Sequence, residues 1–473
     1  MLKQVNFKNK KVLILGLGVT GVSAFKYLQS RGAKVIVIDD LSADKLPADV
    51  LDLVQDCEAQ FFGGEIPPDD LMTITDLLVV SPGVSSSHIV YKEALTQGVE
   101  IKNDINLFLD EWNCSNRVVG VTGSNGKSTI VSLLGHIMES CGIAHKVAGN
   151  LGNSPLDFLT ENKLTGDEVI VLELSNYQLE LFNSDYFVDI AVITNISNNH
   201  LTRYGGSIES YAEAKGNIIK SNHTSLIVEG DNEGIQKYIL PIVKPKDLYK
   251  VSLSIKDYDA SETGIYSDND GNLVFRSSKG KNEIVFDNVS DRKLFGRHNL
   301  YNIGDAILVC KLLDINSGTV SEPIRNFEGL AHRIQFVAES NGIRFINDSK
   351  STSPDATVKA VESLSNGKNI ILIAGGVSKV DHYREWRKIF SENIRNTILL
   401  PGNASDQIIE EARVGNYVKV DNMQEAVSKA FESAKEGDVV LLSPGAGSQN
   451  LFKDFNERGT EFMKFVNVII DNE

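Results

Sequence analysis

Cysteine is scarce. Cys57, Cys114, Cys141 and Cys310 are the only four in 473 residues, far apart and without a CxxC pair, which excludes a disulfide scaffold and a cysteine-built zinc site. No secretory-type leader is legible either, so a reducing cytoplasm is the expected compartment. Basic runs are missing, and 47 Lys and Arg against 63 Asp and Glu leave a formal charge of -16. That balance excludes a general nucleic-acid binder while leaving room for local phosphate sites. No apolar run approaches the roughly 20 residues a bilayer span needs, so stable membrane insertion is not expected. The length instead predicts roughly three domains, each with its own core.

What is present centres on RVVGVTGSNGKSTIVSLLGHIMESCG, Arg117 to Gly142. Val118 to Val121 read as a strand. Gly123 and Gly126 let the backbone turn its N–H groups toward phosphate oxygens, Lys127 adds a point charge, and Ser128 is placed to ligate Mg2+. Ile130, Leu133, Leu134, Ile137 and Met138 then form a helical stripe that stops at Gly142, so a helix N-terminus faces the anion. The spacing is not a standard GxxxxGK[ST], because Val121 stands where the first glycine would be.

Upstream, Lys11 to Asp40 gives a strand, the loop Gly16-Leu17-Gly18-Val19-Thr20-Gly21, a helix and a second strand ending in Asp39 and Asp40. This βαβ unit predicts a nucleotide or nucleotide-sugar site. The motif is open between NAD, whose ribose Asp39 would hold, and a uridine diphosphate sugar. Ser81-Pro82-Gly83 ends a further strand and offers backbone and hydroxyl to the same ligand. Downstream, Val169 to Leu172 end in Glu173, positioned either to hold Mg2+ or to cap a helix. Ile190 to Ile196 lead to His200 and a helix carrying Lys215. Read alone, these are a structural histidine and a solvated lysine.

Residues 243 to 290 read as a small β-meander. Asn299 and Asn302 then sit three apart at a helix start, suited to a base edge or to capping. From Gly329 onward, strands alternate with helices and predict another mostly parallel sheet, its loops carrying Asp348, Lys350, Lys379 and Ser448. The expected fold is α/β in three domains: a Rossmann-like 1–106, a central P-loop-type ATPase domain 107–328 with the meander, and a Rossmann-like 329–473.

In order along the chain stand LGLGVTG at Leu15, SPG at Ser81, TGSNGKST at Thr122, GNLG at Gly149, LELSNYQLE at Leu172 and TNIS..H at Thr194. YAEAK at Tyr211, GRHNLYN at Gly296, AHR at Ala331, NDSKST at Asn347, GG..K.D at Gly375 and LLSPGAGS at Leu441 follow. Over nearly its whole length the chain resembles the Mur ligase family of peptidoglycan synthesis, and LGLGVTG with SNYQLE favours the D-glutamate-adding branch. That resemblance implies an ATP-dependent amide ligase acting through an acyl phosphate, with UDP-N-acetylmuramoyl-L-alanine, D-glutamate and ATP as partners and a monomer as the working form. It implies Gly123, Ser124, Asn125, Gly126, Lys127, Ser128 and Thr129 around the ATP phosphates, with Asn302, Arg333 and Asp348 on adenine, phosphate and ribose. Two Mg2+ sites would use Ser128, Glu173, His200 and Lys215, the last as a carbamate, a lysine turned into a carboxylate equivalent. The catalytic set would be Lys127, His200 and Lys215.

The same resemblance gives Gly18, Val19, Thr20, Asp39, Ser81, Gly83 and Asn150 to the UDP substrate. Lys350, Thr352, Lys379, Ser448 and Phe455 fall to D-glutamate. The chain departs from the family pattern at Asn199 and Thr202, where aspartates usually flank the metal histidine, and at Val380, where glycine is common. Rival readings are an NAD-dependent oxidoreductase, which leaves Thr122 to Ser128 idle, a binding-only homologue, and a sister Mur-type or folylpolyglutamate-type ligase.

Overall fold

The computed structural model describes the chain except residues 1–4, 58, 65, 66, 69, 113–116, 198–200, 221, 254–261, 288–291, 295, 379–381, 472 and 473. It divides into two compact units, Met1–Val289 with Tyr301–Pro323, and Ser290–Leu300 with Ile324–Glu473.

The first unit holds two sheets. β1 (Lys11–Leu15), β2 (Lys34–Asp39), β3 (Gln60–Gly63), β4 (Leu77–Val80) and β5 (Glu100–Lys102) form a five-stranded sheet in the order β3-β2-β1-β4-β5, parallel throughout. Strands such as KVLIL and LLVV are apolar along their length because helices cover both faces. The strand order reverses between β1 and β4, which opens a crevice at their carboxyl ends.

The second sheet comprises β6 (Val118–Thr122), β7 (His145–Gly149), β8 (Val169–Glu173), β9 (Ile190–Ile193), β10 (Ser225–Glu229), β11 (Leu248–Ser252), β12 (Gly264–Ser267), β13 (Leu273–Arg276) and β14 (Asn282–Phe286). Its order is β14-β13-β12-β11-β10-β9-β6-β8-β7. The expected meander is present as β12 to β14, antiparallel to one another, but it extends the edge of this sheet through a parallel β11–β12 pairing instead of standing apart. β6 lies between β8 and β9, so the loop after it opens at this sheet's own reversal point.

One apolar core serves both sheets: Val12, Phe25 and Tyr27 belong to the same cluster as Phe108, Trp112, Leu156 and Leu172. Polar contacts reinforce the junction. Asn103 caps the helix Asp104–Glu111 in a capping box with Asn106, and its Nδ2 donates to the Gln178 carbonyl at 2.8 Å. Buried Asp104 accepts from Ser154 Oγ at 3.0 Å and Gln178 Nε2 at 3.3 Å.

The second unit contains β15 (Gln335–Ser340), β16 (Ile343–Asn347), β17 (Ile370–Gly375), β18 (Ile394–Leu400), β19 (Tyr417–Lys419) and β20 (Val439–Leu442), in the order β15-β16-β20-β17-β18-β19. Only β15 runs antiparallel. β20 inserts between β16 and β17, which brings the loops after β16 and β20 side by side. Among the described residues, no helix is long and apolar enough to cross a membrane.

Candidate active site

β6 ends at Thr122, and the helix Lys127–Ser140 starts four residues after the turn at Gly123 begins. Gly123 and Gly126 have φ of 136° and 88°, a region open to glycine. Space excludes side chains as well: a Cβ on Gly123 would lie 1.9 Å from Thr194 Oγ1, and one on Gly126 2.5 Å from Asn302 Oδ1. The loop is tied to the end of β9. Thr194 Oγ1 donates to the Asn125 carbonyl at 2.5 Å, Asn195 Oδ1 accepts the Asn125 N–H at 3.1 Å, and the Asn195 carbonyl accepts the Ser124 N–H at 2.8 Å. Lys127 Nζ donates to the carbonyls of Gly123 (2.9 Å) and Ser124 (3.2 Å), folded over the loop. Ser128 is buried, and Thr129 is partly so.

Glu173 closes β8 and is buried. It does not cap the next helix, because Ser175 and Gln178 form that capping box between themselves. Its Oε1 accepts from Asn150 Nδ2 at 2.9 Å, while Oε2 is buried with no hydrogen-bond partner. An orphaned carboxylate oxygen of this kind fits a hard divalent cation. Among the described residues no group of three or more His, Cys, Asp or Glu is gathered for a metal. His200 and Asn199 lie outside the described residues, as does the side chain of Thr202.

Lys215 stands in the last turn of the helix Ile208–Gly216, which Ser207 caps. Instead of being solvated, it is 1% exposed. Its Nζ lies 3.4 Å from Thr122 Oγ1 and 4.7 Å from the Tyr211 ring centre. Burial, and then the charge of Lys127, holds the amine well below the usual lysine range, against an opposing pull from Glu173.

At the crevice of the first sheet, Asp39 is committed to the backbone: its carboxylate accepts the N–H of Leu17 at 2.7 Å and of Leu41 at 2.8 Å. Ser81 Oγ likewise donates to the Gly16 carbonyl at 2.7 Å. The open positions are Gly18 and Gly83, where an added Cβ would meet nothing within 4 Å, and Val19, 60% exposed at the helix start beside Thr20. Arg203 bridges toward this domain, donating to the Val84 carbonyl at 3.0 Å and to Glu180 Oε2 at 2.8 Å.

In the second unit, buried Asp348 follows β16 and accepts from Ile334 N–H at 3.2 Å and Ser443 Oγ at 2.7 Å. Burial pushes its carboxyl up to about 6, against these hydrogen bonds and the nearby Arg333. Lys350 Nζ sits 5.4 Å from the Phe455 ring centre. Thr352 is half-buried and Ser448 buried on the two adjoining loops. Lys379 and Val380 lie outside the described residues.

Two groups were not singled out from sequence. Arg458, 1% exposed, donates from Nε to Ser349 Oγ at 3.0 Å, from Nη2 to the Ser349 carbonyl at 2.8 Å, and from Nη1 to the Ala446 carbonyl at 3.1 Å, strapping the two loops together. The sequence gives no sign of this beyond a glycine next to it, Gly459, inside a helical stretch, and in the structure a Cβ there would lie 2.1 Å from His332 Nδ1. Asn195 falls inside TNIS..H, where the sequence points to the histidine and nothing marks the amide.

Three family descriptions match consecutive stretches: a Mur ligase MurD-like N-terminal domain over residues 10–103, a Mur ligase middle domain over 121–310, and a Mur ligase glutamate ligase domain over 332–446. The UDP-N-acetylmuramoylalanine–D-glutamate ligase of Thermoanaerobacter pseudethanolicus is 35% identical over 470 residues, 98% of this chain and 99% of its own. The enzyme of the same name from Protochlamydia amoebophila is 34% identical over 469 residues, again 98% and 99%. Among solved structures, MurF ligase from Thermotoga maritima in complex with ADP matches with a TM-score of 0.54 at 18% identity, over 98% of this chain and 96% of that one. UDP-N-acetylmuramate–alanine ligase MurC from the same organism also gives 0.54, at 16% identity over 98% and 100%. At such identities the structural likeness speaks for the fold.

Proposed function

Because this chain belongs to the Mur ligase family, we infer that it is an ATP-dependent UDP-N-acetylmuramoyl-L-alanine:D-glutamate ligase of cytoplasmic peptidoglycan precursor synthesis. The observation that carries the chemistry is the neighbourhood of the phosphate loop, where the buried amine of Lys215, 3.4 Å from Thr122 Oγ1 at the start of the loop, feels the charges of both Lys127 and Glu173. Residues 1–106 are assigned to the UDP substrate, 107–328 to ATP and 329–473 to the amino acid, on a chain working as a monomer.

In the first step a terminal carboxylate oxygen of UDP-N-acetylmuramoyl-L-alanine forms a bond to the γ-phosphorus of ATP, the bridging P–O bond breaks, and ADP leaves. The resulting acyl phosphate replaces an oxide leaving group with phosphate. The amine of D-glutamate then bonds to the acyl carbon, loses a proton, and inorganic phosphate departs. No side-chain nucleophile is needed, so the protein's contribution is positioning and charge. The loop Gly123 to Thr129 presents N–H groups and the Lys127 ammonium to the phosphates, with Asn302, Arg333 and Asp348 assigned to the nucleoside end. Lys350, Thr352, Lys379, Ser448 and Phe455 are assigned to D-glutamate, and Gly18, Val19, Thr20, Asp39, Ser81, Gly83 and Asn150 to the UDP substrate. Asp39 and Ser81 serve there by bracing the loop through the backbone bonds they already make.

Ser128, Glu173, His200 and Lys215 are the residues to hold two Mg2+ ions, which when bound neutralise charge on the transferring phosphoryl group. The orphaned oxygen of Glu173 supports this donor set. For Lys215 the reading is a carbamate. An amine whose protonation burial disfavours is nucleophilic toward carbon dioxide, and once the N–C bond has formed and a proton has left the product is a carboxylate-like anion. The test is D-glutamate-dependent ADP release, measured over a panel of amino acids with UDP-muramoyl acceptors. Release driven by another amino acid, or none, would overturn the assignment.

A further inference from the structure

Glu229, the last residue of β10, is partly buried and points at an amide instead of a cation. Its Oε1 accepts from Asn195 Nδ2 at 3.2 Å. The same Asn195 side chain grips both backbone groups of Asn125 in the phosphate loop: Nδ2 donates to the Asn125 carbonyl at 3.3 Å, and Oδ1 accepts the Asn125 N–H at 3.1 Å. An amide turned end for end would set donor against donor at the Asn125 N–H and acceptor against acceptor at the Asn125 carbonyl, and the Glu229 oxygen accepting from Nδ2 behind it favours the orientation that works.

Holding an acid there is unfavourable. Burial pushes the Glu229 carboxyl up to about 7, Asn195 opposes the shift, and Asp231 adds to it. Asp305 faces Glu229 from the helix His298–Leu312, fully buried, with neither oxygen accepting a hydrogen bond, and burial followed by the Glu229 charge raises it well above the carboxylate range. Asp231 Oδ2, by contrast, is satisfied by Tyr301 Oη at 2.6 Å and Leu253 N–H at 2.9 Å. An acid held out of water beside a second, fully buried acid with no hydrogen-bond partner weakens the fold, and such positions are retained where function uses them.

We propose that Glu229 is a positioning residue for ATP, acting through Asn195 to fix the phosphate loop at Asn125. The proposal rests on the ATP site described above and adds to it a supporting chain with its own signature: relieving the acid pair strengthens the fold while slackening the nucleotide cradle. A residue with only a structural role would lose both together.

The experiment uses the full chain and measures ATP affinity with Mg2+ by calorimetry, UDP-acceptor affinity, and Tm. Glu229→Leu is expected to raise Tm, to weaken ATP about tenfold, the order of one hydrogen bond to a charged group, and to leave the UDP acceptor unchanged. Glu229→Gln keeps an acceptor for Asn195 and offers Asp305 a donor, so it should hold ATP near the unmodified affinity with a raised Tm. Asn195→Asp, which places an acceptor against Glu229, should weaken ATP like the leucine variant. Unchanged ATP affinity in Glu229→Leu, or equal losses in the Gln and Leu variants, would overturn the proposal. An unmodified chain that binds no ATP would instead overturn the ligase reading.

Discussion

Replacing Arg458 by Met tests whether the strap across the second unit's loops serves affinity more than stability. The guanidinium makes three hydrogen bonds, to Ser349 Oγ, the Ser349 carbonyl and the Ala446 carbonyl, together about 4 to 5 kcal/mol at roughly 1.5 each for a charged donor. Against this stands the cost of burying the charge. Burial lowers its pKa to about 10 with only a partial counter-pull from Asp348, a shift from the ordinary guanidinium value that costs about 3 kcal/mol. Methionine removes both terms and keeps most of the packing volume, so the net loss should be only about 1 to 2 kcal/mol, a fall in Tm of a few degrees. The geometric loss is larger: Lys350 and Thr352 follow Ser349, and Ser448 follows Ala446 by two residues. The KM for D-glutamate should therefore rise about tenfold or more, while the KM for the UDP acceptor, whose assigned residues lie in the other unit, stays put. Coupled ADP assays at varied D-glutamate, alongside thermal melts, give both numbers. A folded Arg458→Met protein with an unchanged D-glutamate KM would refute the reasoning, as would a collapse in Tm of the size expected when a buried ion pair is broken.

Lys127→Ala should abolish ADP release driven by the two substrates together while leaving the circular dichroism spectrum unchanged; retained turnover would remove the lysine from the phosphates. Lys215→Ala should be inactive and regain activity with short carboxylic acids such as acetate or formate, and full activity without them would make the carbamate unnecessary. For Asp348 the folded pKa of about 6 lies above the ordinary aspartate value of 3.8. Its contribution to stability is therefore fully present below about pH 4 and lost as pH rises through about 6. Asp348→Asn should accordingly gain stability on the parent by up to about 3 kcal/mol at pH 8 relative to pH 4 in urea titrations, and a difference that does not change with pH would count against it.

Much of the fold was legible because parallel strands covered on both faces are written as unbroken apolar runs, as in β1, β6, β17 and β20. The glycine loops were legible for a related reason: a backbone at φ of 92° or 136° admits little else, so Gly16 and Gly123 mark themselves. The site's supports were harder to find. Lys215 carries no local sign of burial, since its own helix is weakly patterned and the groups around it, Thr122 and Lys127, lie some 90 residues earlier in the chain. Arg458 and Glu229 show the same difficulty in other forms. Each is a charged residue whose default is solvent, and each is drawn inside by partners on loops that only the completed sheets bring near. The meander reads as a local motif, and nothing within it announces that β12 pairs with β11, which precedes it in the chain by more than ten residues.

The apolar cluster that runs without interruption from Val12 and Phe25 to Leu156 and Leu172 bears on how this molecule can be dissected. Cutting the chain near residue 104 would strip cover from Phe108 and Trp112 on one fragment and from Tyr27 and Phe25 on the other, leaving both with sticky, half-dressed faces. Neither piece is a self-sufficient module, and melting of the first 289 residues should register in a calorimeter as a single cooperative peak, however many lobes the eye counts.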